Sequence, residues 1–139
     1  MVSQDFIRAG RAVFTVSNGN GVHYTYKVTY KKPSGKFRET WFVSLLTGPN
    51  KEEDFSYMGM LGDDLQVRLT RNSRFTEDIV PFRVINWFLK LVRDGKPLPE
   101  GYSAHHEGRC GRCGRTLTVP ETIESGIGPE CAKKMGLAA

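Results

Sequence analysis

The sequence predicts an α+β chain: a small antiparallel sheet of about five strands covered by one helix, then a C-terminal finger. Three observations predict it. Apolar and polar residues alternate in short runs through residues 11–70, the period lengthens over 79–93, and every cysteine (Cys110, Cys113, Cys131) falls near the C-terminus. Period two marks half-buried strands, whereas a spacing of three to four marks one face of a helix.

Residues 11–17 (RAVFTVS) and 22–31 (VHYTYKVTYK) are rich in β-branched and aromatic residues. In the second run Val22, Tyr24, Tyr26, Val28 and Tyr30 face one way, and His23, Thr25, Lys27 and Thr29 the other. NGNG at 18–21 tolerates positive φ and joins the two runs as a hairpin. PSGK at 33–36 is another turn, and 38–46 (RETWFVSLL) a third strand with Trp41, Val43 and Leu45 on one side. Beyond the polar loop 47–54, FSYMGML (55–61) reads as a fourth strand weakened by Gly59, and LQVRLT (65–70) as a fifth. Over 79–93, Val84, Ile85, Phe88, Leu91 and Val92 mark a helical face that Trp87 widens. Asp78 is the expected N-cap, Pro81 sits in the first turn, and Asp94-Gly95 closes the helix. The expected division is a sheet–helix domain at 1–95, a proline-bearing linker at 96–104 and a finger at 105–139.

The totals bound the function. With 139 residues, 39% hydrophobic and 11% aromatic, the chain can bury a core and is not disordered. Its net charge of +5 suits a polyanionic partner without demanding one. The excess lies outside the finger: residues 1–103 hold fifteen Lys/Arg and eleven Asp/Glu. No apolar run approaches a membrane span, and MVSQDFIRAGR lacks the apolar stretch of a secretory signal. The expected location is the cytoplasm, where clustered thiols stay reduced.

Cys110 and Cys113 form a C-x2-C pair, Cys131 follows after seventeen intervening residues, and His105 and His106 lie just upstream. Two cysteines at this spacing grip one ion from a tight turn, and four protein ligands with no open position build structure rather than do chemistry. The expected cofactor is therefore a structural Zn2+ on Cys110, Cys113, Cys131 and His106; His105, a carboxylate or water are the alternatives for the last position. Gly111 and Gly114 relieve the backbone at the knuckle, 116–128 forms a short hairpin or loop, and Gly128-Pro129 starts a helix carrying Cys131. Knuckle, hairpin and helix-borne ligand are the parts of a treble-clef-like finger.

No catalytic residue is singled out, and the expectation is a non-enzyme. His105-His106-Glu107 before C-x2-C is a poor match to the zinc-deaminase signature: Glu107 is too close to Cys110, and a third cysteine takes the water's place. Only His23 lies outside the finger segment, which disfavours an HNH-type nuclease, and neither a P-loop nor a dinucleotide fingerprint occurs.

The string HEGRCGRCGRTLTVPETIESGIGPEC closely resembles a small cysteine-rich domain of unknown function found in phage and bacterial proteins, with Thr122 where serine is usual. Upstream, the Ala9-Gly10 start, FTVSNGNGVHYTYKV and WFVSLLTGPNKEEDFSYMGML also look like phage proteins that carry this domain. The resemblance implies a phage or prophage origin, hence the host cytoplasm, and implies no activity.

Two functions are expected. The first is nucleic-acid binding, with Tyr24, Tyr26 and Tyr30 stacking on bases and Lys27, Lys31 and Lys32 neutralising phosphates. Arg109, Arg112 and Arg115 on the knuckle add to it. Against it, the tyrosines share a face with Val22 and Val28, a pattern that more often marks a core, and Glu107, Glu121 and Glu124 balance the arginines. The second is a protein-interaction module, such as a phage inhibitor or adaptor of a host defence or polymerase complex. Its contacts would include the Glu52-Glu53-Asp54 loop and Tyr102.

Overall fold

A computed structural model describes residues 2–50, 52–115, 117 and 125–136. The expected hairpin at 116–128 lies largely outside them, as do Glu121, Thr122 and Glu124. The described chain is mostly a curled antiparallel sheet of six strands with a few helices. The strands are β1 (Arg11–Ser17), β2 (His23–Lys31), β3 (Thr40–Leu46), β4 (Phe55–Leu61), β5 (Val67–Arg68) and β6 (Ser103–His106), in the order β5-β4-β3-β2-β1-β6. The helices are α1 (Gln4–Ile7), α2 (Val80–Arg93) and α3 (Pro129–Lys134).

The β1–β2 hairpin forms where NGNG places it. Asn18 Oδ1 accepts from the Asn20 N–H at 2.8 Å and the Val22 N–H at 3.3 Å, and Gly19 and Gly21 take φ of 78° and 87°. Register pairs Ala12 with Val28 and Phe14 with Tyr26, so these four share one buried face. The residues between them, Val13, Lys27 and Thr29, point to the other face.

Gly59 proves to be a packing requirement rather than a weakness. It is buried opposite Val43, beside a bulge at Val43/Ser44, and a Cβ there would run into the Arg68 carbonyl of β5. The fifth strand is shorter than 65–70. Leu65 takes φ of 60° while its side chain is buried, so the chain is still turning there, and a turn from Thr70 to Ser73 ends the pairing.

Helix α2 starts one residue later than expected, and its N-cap is Ile79 with no side-chain cap bond. The Asp78 carboxylate instead accepts from the Thr76 hydroxyl. Ile85, Phe88 and Leu89 bury against the sheet, with Phe88 and Phe14 ring centroids 5.8 Å apart. The Asn86 amide grips β5: its Oδ1 accepts from the Val67 N–H at 2.7 Å and its Nδ2 donates to the Val67 carbonyl at 3.1 Å. An edge strand of two residues is thereby tied to the helix.

Two elements escape a reading by periodicity. Helix α1 is a single turn capped by Ser3, whose Oγ accepts from the Phe6 N–H, and it buries Phe6 and Ile7. Strand β6 runs across the expected boundary at 104/105 and pairs with β1, Phe14 opposite His106 and Val16 opposite Ala104. One apolar cluster joins Phe6, Phe14 and Phe88 to Cys110, Leu117, Ile127 and Cys131.

Candidate metal centre

Chain leaving β6 turns sharply to make the knuckle. The Cys110 N–H donates to the Arg115 carbonyl at 2.8 Å, and the Gly114 N–H to the Cys110 carbonyl at 2.9 Å. Two further backbone bonds hold the knuckle in place: the Arg11 N–H donates to the Gly111 carbonyl at 2.6 Å, and the Gly111 N–H to the Gly126 carbonyl at 2.6 Å. Phe6 wedges between these segments. A Cβ on Gly111 would lie 2.7 Å from its ring, and one on Gly126 2.5 Å. The knuckle glycine is thus needed for contact with α1, a reason that the expectation of simple backbone relief missed.

The sulfur atoms of Cys110, Cys113 and Cys131 all lie within 4.8 Å of one another, and no disulfide links them. Thiolates arranged tetrahedrally around zinc at about 2.3 Å stand about 3.8 Å apart, so this trio can hold a metal ion. Its surroundings fit anionic sulfur. The Gly128 and Arg112 N–H groups donate to Cys110 Sγ at 3.2 and 3.4 Å, and the Arg112 guanidinium to Cys131 Sγ at 3.7 Å. Such outer-shell donors orient ligands and stabilise their charge.

The two buried thiols feel opposite balances. Burial raises Cys110, but hydrogen bonds from the Gly128, Cys113 and Arg112 N–H groups and from the Cys113 thiol outweigh it and bring it down to about 7. Cys131 is pushed up by burial and by the neighbouring Cys113 and Cys110 thiols, against the lowering effect of Arg112. Cys110 therefore ionises more readily than Cys131.

His106 is not brought into this group: the cluster among the described residues contains sulfur only. Its Nδ1 accepts from the Gly108 N–H at 2.8 Å, and its ring lies 5.4 Å from that of Phe6. His105 is exposed and bonds Ser103 Oγ at 3.1 Å.

Of the expected contact residues, the tyrosines need correction. Tyr26 is wholly buried and donates its hydroxyl to the Pro81 carbonyl at 2.7 Å, so it cannot stack on a ligand. Burial, reinforced by Tyr24, pushes its phenol above the usual tyrosine range. Tyr24 packs against the same core. Strand alternation puts both on the face that α2 covers; Tyr24 is half-buried there, and Tyr30, at the strand end, is exposed. Lys31, Lys32, Arg109 and Arg115 are exposed, and Lys27 and Arg112 partly so.

Among the described residues, two clefts border Cys113. One, of about 670 Å³, is lined by Arg8, Arg11, Lys32 and Arg112, with Glu39 as the acid and Tyr30 and Trp41 as aromatic walls. Tyr30 and Trp41 ring centroids are 4.9 Å apart, and the Arg8 guanidinium lies 4.9 Å from the Trp41 ring. The other, of about 330 Å³, lies between the knuckle and the exposed side of β1–β2. Sequence reasoning missed Arg8, Arg11 and Trp41 because nothing local links residues 8–11 to 41 and 112.

Among the described residues no helix is long and apolar enough to cross a membrane. No curated protein and no solved structure matches the chain. The segment that holds β6, the knuckle, the three cysteines and α3, residues 103–136, matches a family of unknown function (DUF6011).

Proposed function

We propose that this chain is a non-enzymatic nucleic-acid-binding accessory protein of phage type, acting in the cytoplasm, whose treble-clef-like finger is closed by a structural zinc ion. The observation that carries it is the larger cleft: Arg8, Arg11, Lys32 and Arg112 face Glu39 as the carboxylate, and Tyr30 and Trp41 stand among them. Cations neutralise phosphates and aromatic faces accept bases, and both kinds of group meet beside the sulfur cluster. When bound, zinc would tie the knuckle to α3 and hold Arg112 in place. The test is a gel shift with single- and double-stranded DNA and RNA at several salt concentrations. Affinity should fall steeply with salt, and R11A with R112A should weaken it at least tenfold. No shift at low salt would falsify the reading.

Zinc has its own test. Elemental analysis should find about one equivalent in the purified protein and none in Cys113→Ser. His106→Ala should keep the metal, because the imidazole stands outside the sulfur group; loss equal to that of Cys113→Ser would make it the fourth ligand.

A second reading, a protein-interaction module, draws on a different surface. A largely apolar groove of about 620 Å³ runs between α1, α2 and the 95–98 segment, lined by Val2, Phe88, Leu91, Val92 and Leu98. One stable partner recovered from nuclease-treated lysate, and lost in Leu91→Glu, would favour it.

A further inference from the structure

Helices α1 and α2 cover one face of the sheet: Phe14 meets Phe6 and Phe88 there, and Tyr26 reaches Pro81. The opposite face of an antiparallel sheet is ordinarily polar. Here it carries Phe42, Phe55 and Tyr57, each half-buried, with Met60 exposed beside them. The Phe42 and Tyr57 ring centroids are 5.8 Å apart, and Lys27 Nζ lies 4.6 Å from the centre of the Phe55 ring. This aromatic surface is continuous with the smaller cleft at the knuckle. Lys27 and Thr29 line that cleft together with Arg11, Arg109 and Glu107, and Thr29 pairs directly with Phe42 across the β2–β3 ladder.

We propose that this outer sheet face binds single-stranded nucleic acid, with bases on Phe42, Phe55 and Tyr57 and the phosphate backbone passing over Lys27 towards Arg11 and Arg109. The inference rests on the nucleic-acid reading above and adds a location and a substrate class to it. Charge complementarity selects the occupant: three cations and one carboxylate line the path that leaves the rings. Unpaired bases select the form, because an aromatic ring on a sheet face can stack only on a base whose face is free, whereas a duplex offers only edges and phosphates. With Phe55 and Tyr57 along β4 and Phe42 on the neighbouring β3, successive bases can track across the sheet.

The test is fluorescence anisotropy of the metal-loaded full chain with a labelled single-stranded oligonucleotide of mixed sequence and with its duplex. Wild type should bind the single strand at least tenfold more tightly than the duplex, and F42A, F55A and K27E should each weaken it about fivefold or more. Circular dichroism and metal content verify that the variants remain folded. Ultraviolet crosslinking of the wild type, mapped to single residues, keeps the test independent of them; crosslinks should fall on Phe42, Phe55 and Tyr57. Binding with equal affinity for the duplex, or with crosslinks confined to the Tyr30–Trp41 cleft, overturns the sheet-face site and leaves the general function standing. Absence of binding to any probe removes both.

Discussion

Phe6 is the residue on which finger and sheet meet. Its ring packs edge-on to Phe14, with centroids 6.5 Å apart, and against His106 at 5.4 Å. It also occupies the space that Gly111 and Gly126 leave open. Gly126 has φ of 76°, so an alanine there meets both an unfavourable backbone conformation and the ring. Gly108 has the same φ of 76° with nothing within 4 Å of a Cβ, which separates the two costs. Gly108→Ala should therefore destabilise by about 1 kcal/mol, and Gly126→Ala by about 3 kcal/mol once overpacking is added. Thermal unfolding of the pair measures the difference; equal losses would mean that the Phe6 contact adds nothing. The gathering of the three cysteines was legible from their spacing. That of Phe6 was not, because its partners lie at 14, 106, 111 and 126 and leave no local trace.

At the scale of elements, Asn86 shows how an edge strand is held. Both ladder groups of Val67 bond to its amide, and the Gln66 side chain donates to the Asn86 carbonyl at 3.2 Å. Asn86→Ala leaves a part-buried N–H and C=O without protein partners and should cost about 2–3 kcal/mol. Asn86→Asp keeps the acceptor and loses the donor, so it should cost less at neutral pH. Hydrogen exchange at Val67 should rise more than tenfold in Asn86→Ala, while the β1–β2 amides stay protected. The helical period located α2 to within a residue, but Asp78 as its N-cap failed because Thr76 competes for the carboxylate. Strand β6 and helix α1 span four residues each, too few for a period to declare itself.

Across the whole molecule, the finger and the sheet share a buried cluster, with β6 hydrogen-bonded along β1. Metal loss should therefore not detach residues 105–139 as a unit. With a metal on the three cysteines, chelation should quicken exchange in 107–115 and 125–136, the segments that carry the sulfur atoms, while the β6 amides at 103–106 remain protected. Since protons compete with the ion for thiolates, acidification should release metal and produce the same pattern. Exchange mass spectrometry reads both; protection lost throughout β1 and β6 would mean that the sheet itself depends on the metal. The charge balance was legible from composition, but its arrangement was not. Arg8, Arg11, Lys32 and Arg112 converge only because β1, β2 and the knuckle pack together.

The sequence alone determined the hairpin at NGNG, the reach of α2 and the gathering of three cysteines at metal spacing. Each depends on residues within one turn, one period or one short loop. Tertiary structure decided which tyrosines face the core, that Phe42, Phe55 and Tyr57 share an outer face, and that a strand from the finger segment completes the sheet. Those outcomes turn on pairings such as Phe14 with His106. The energy of such a contact is realised only when distant stretches of chain have already come together.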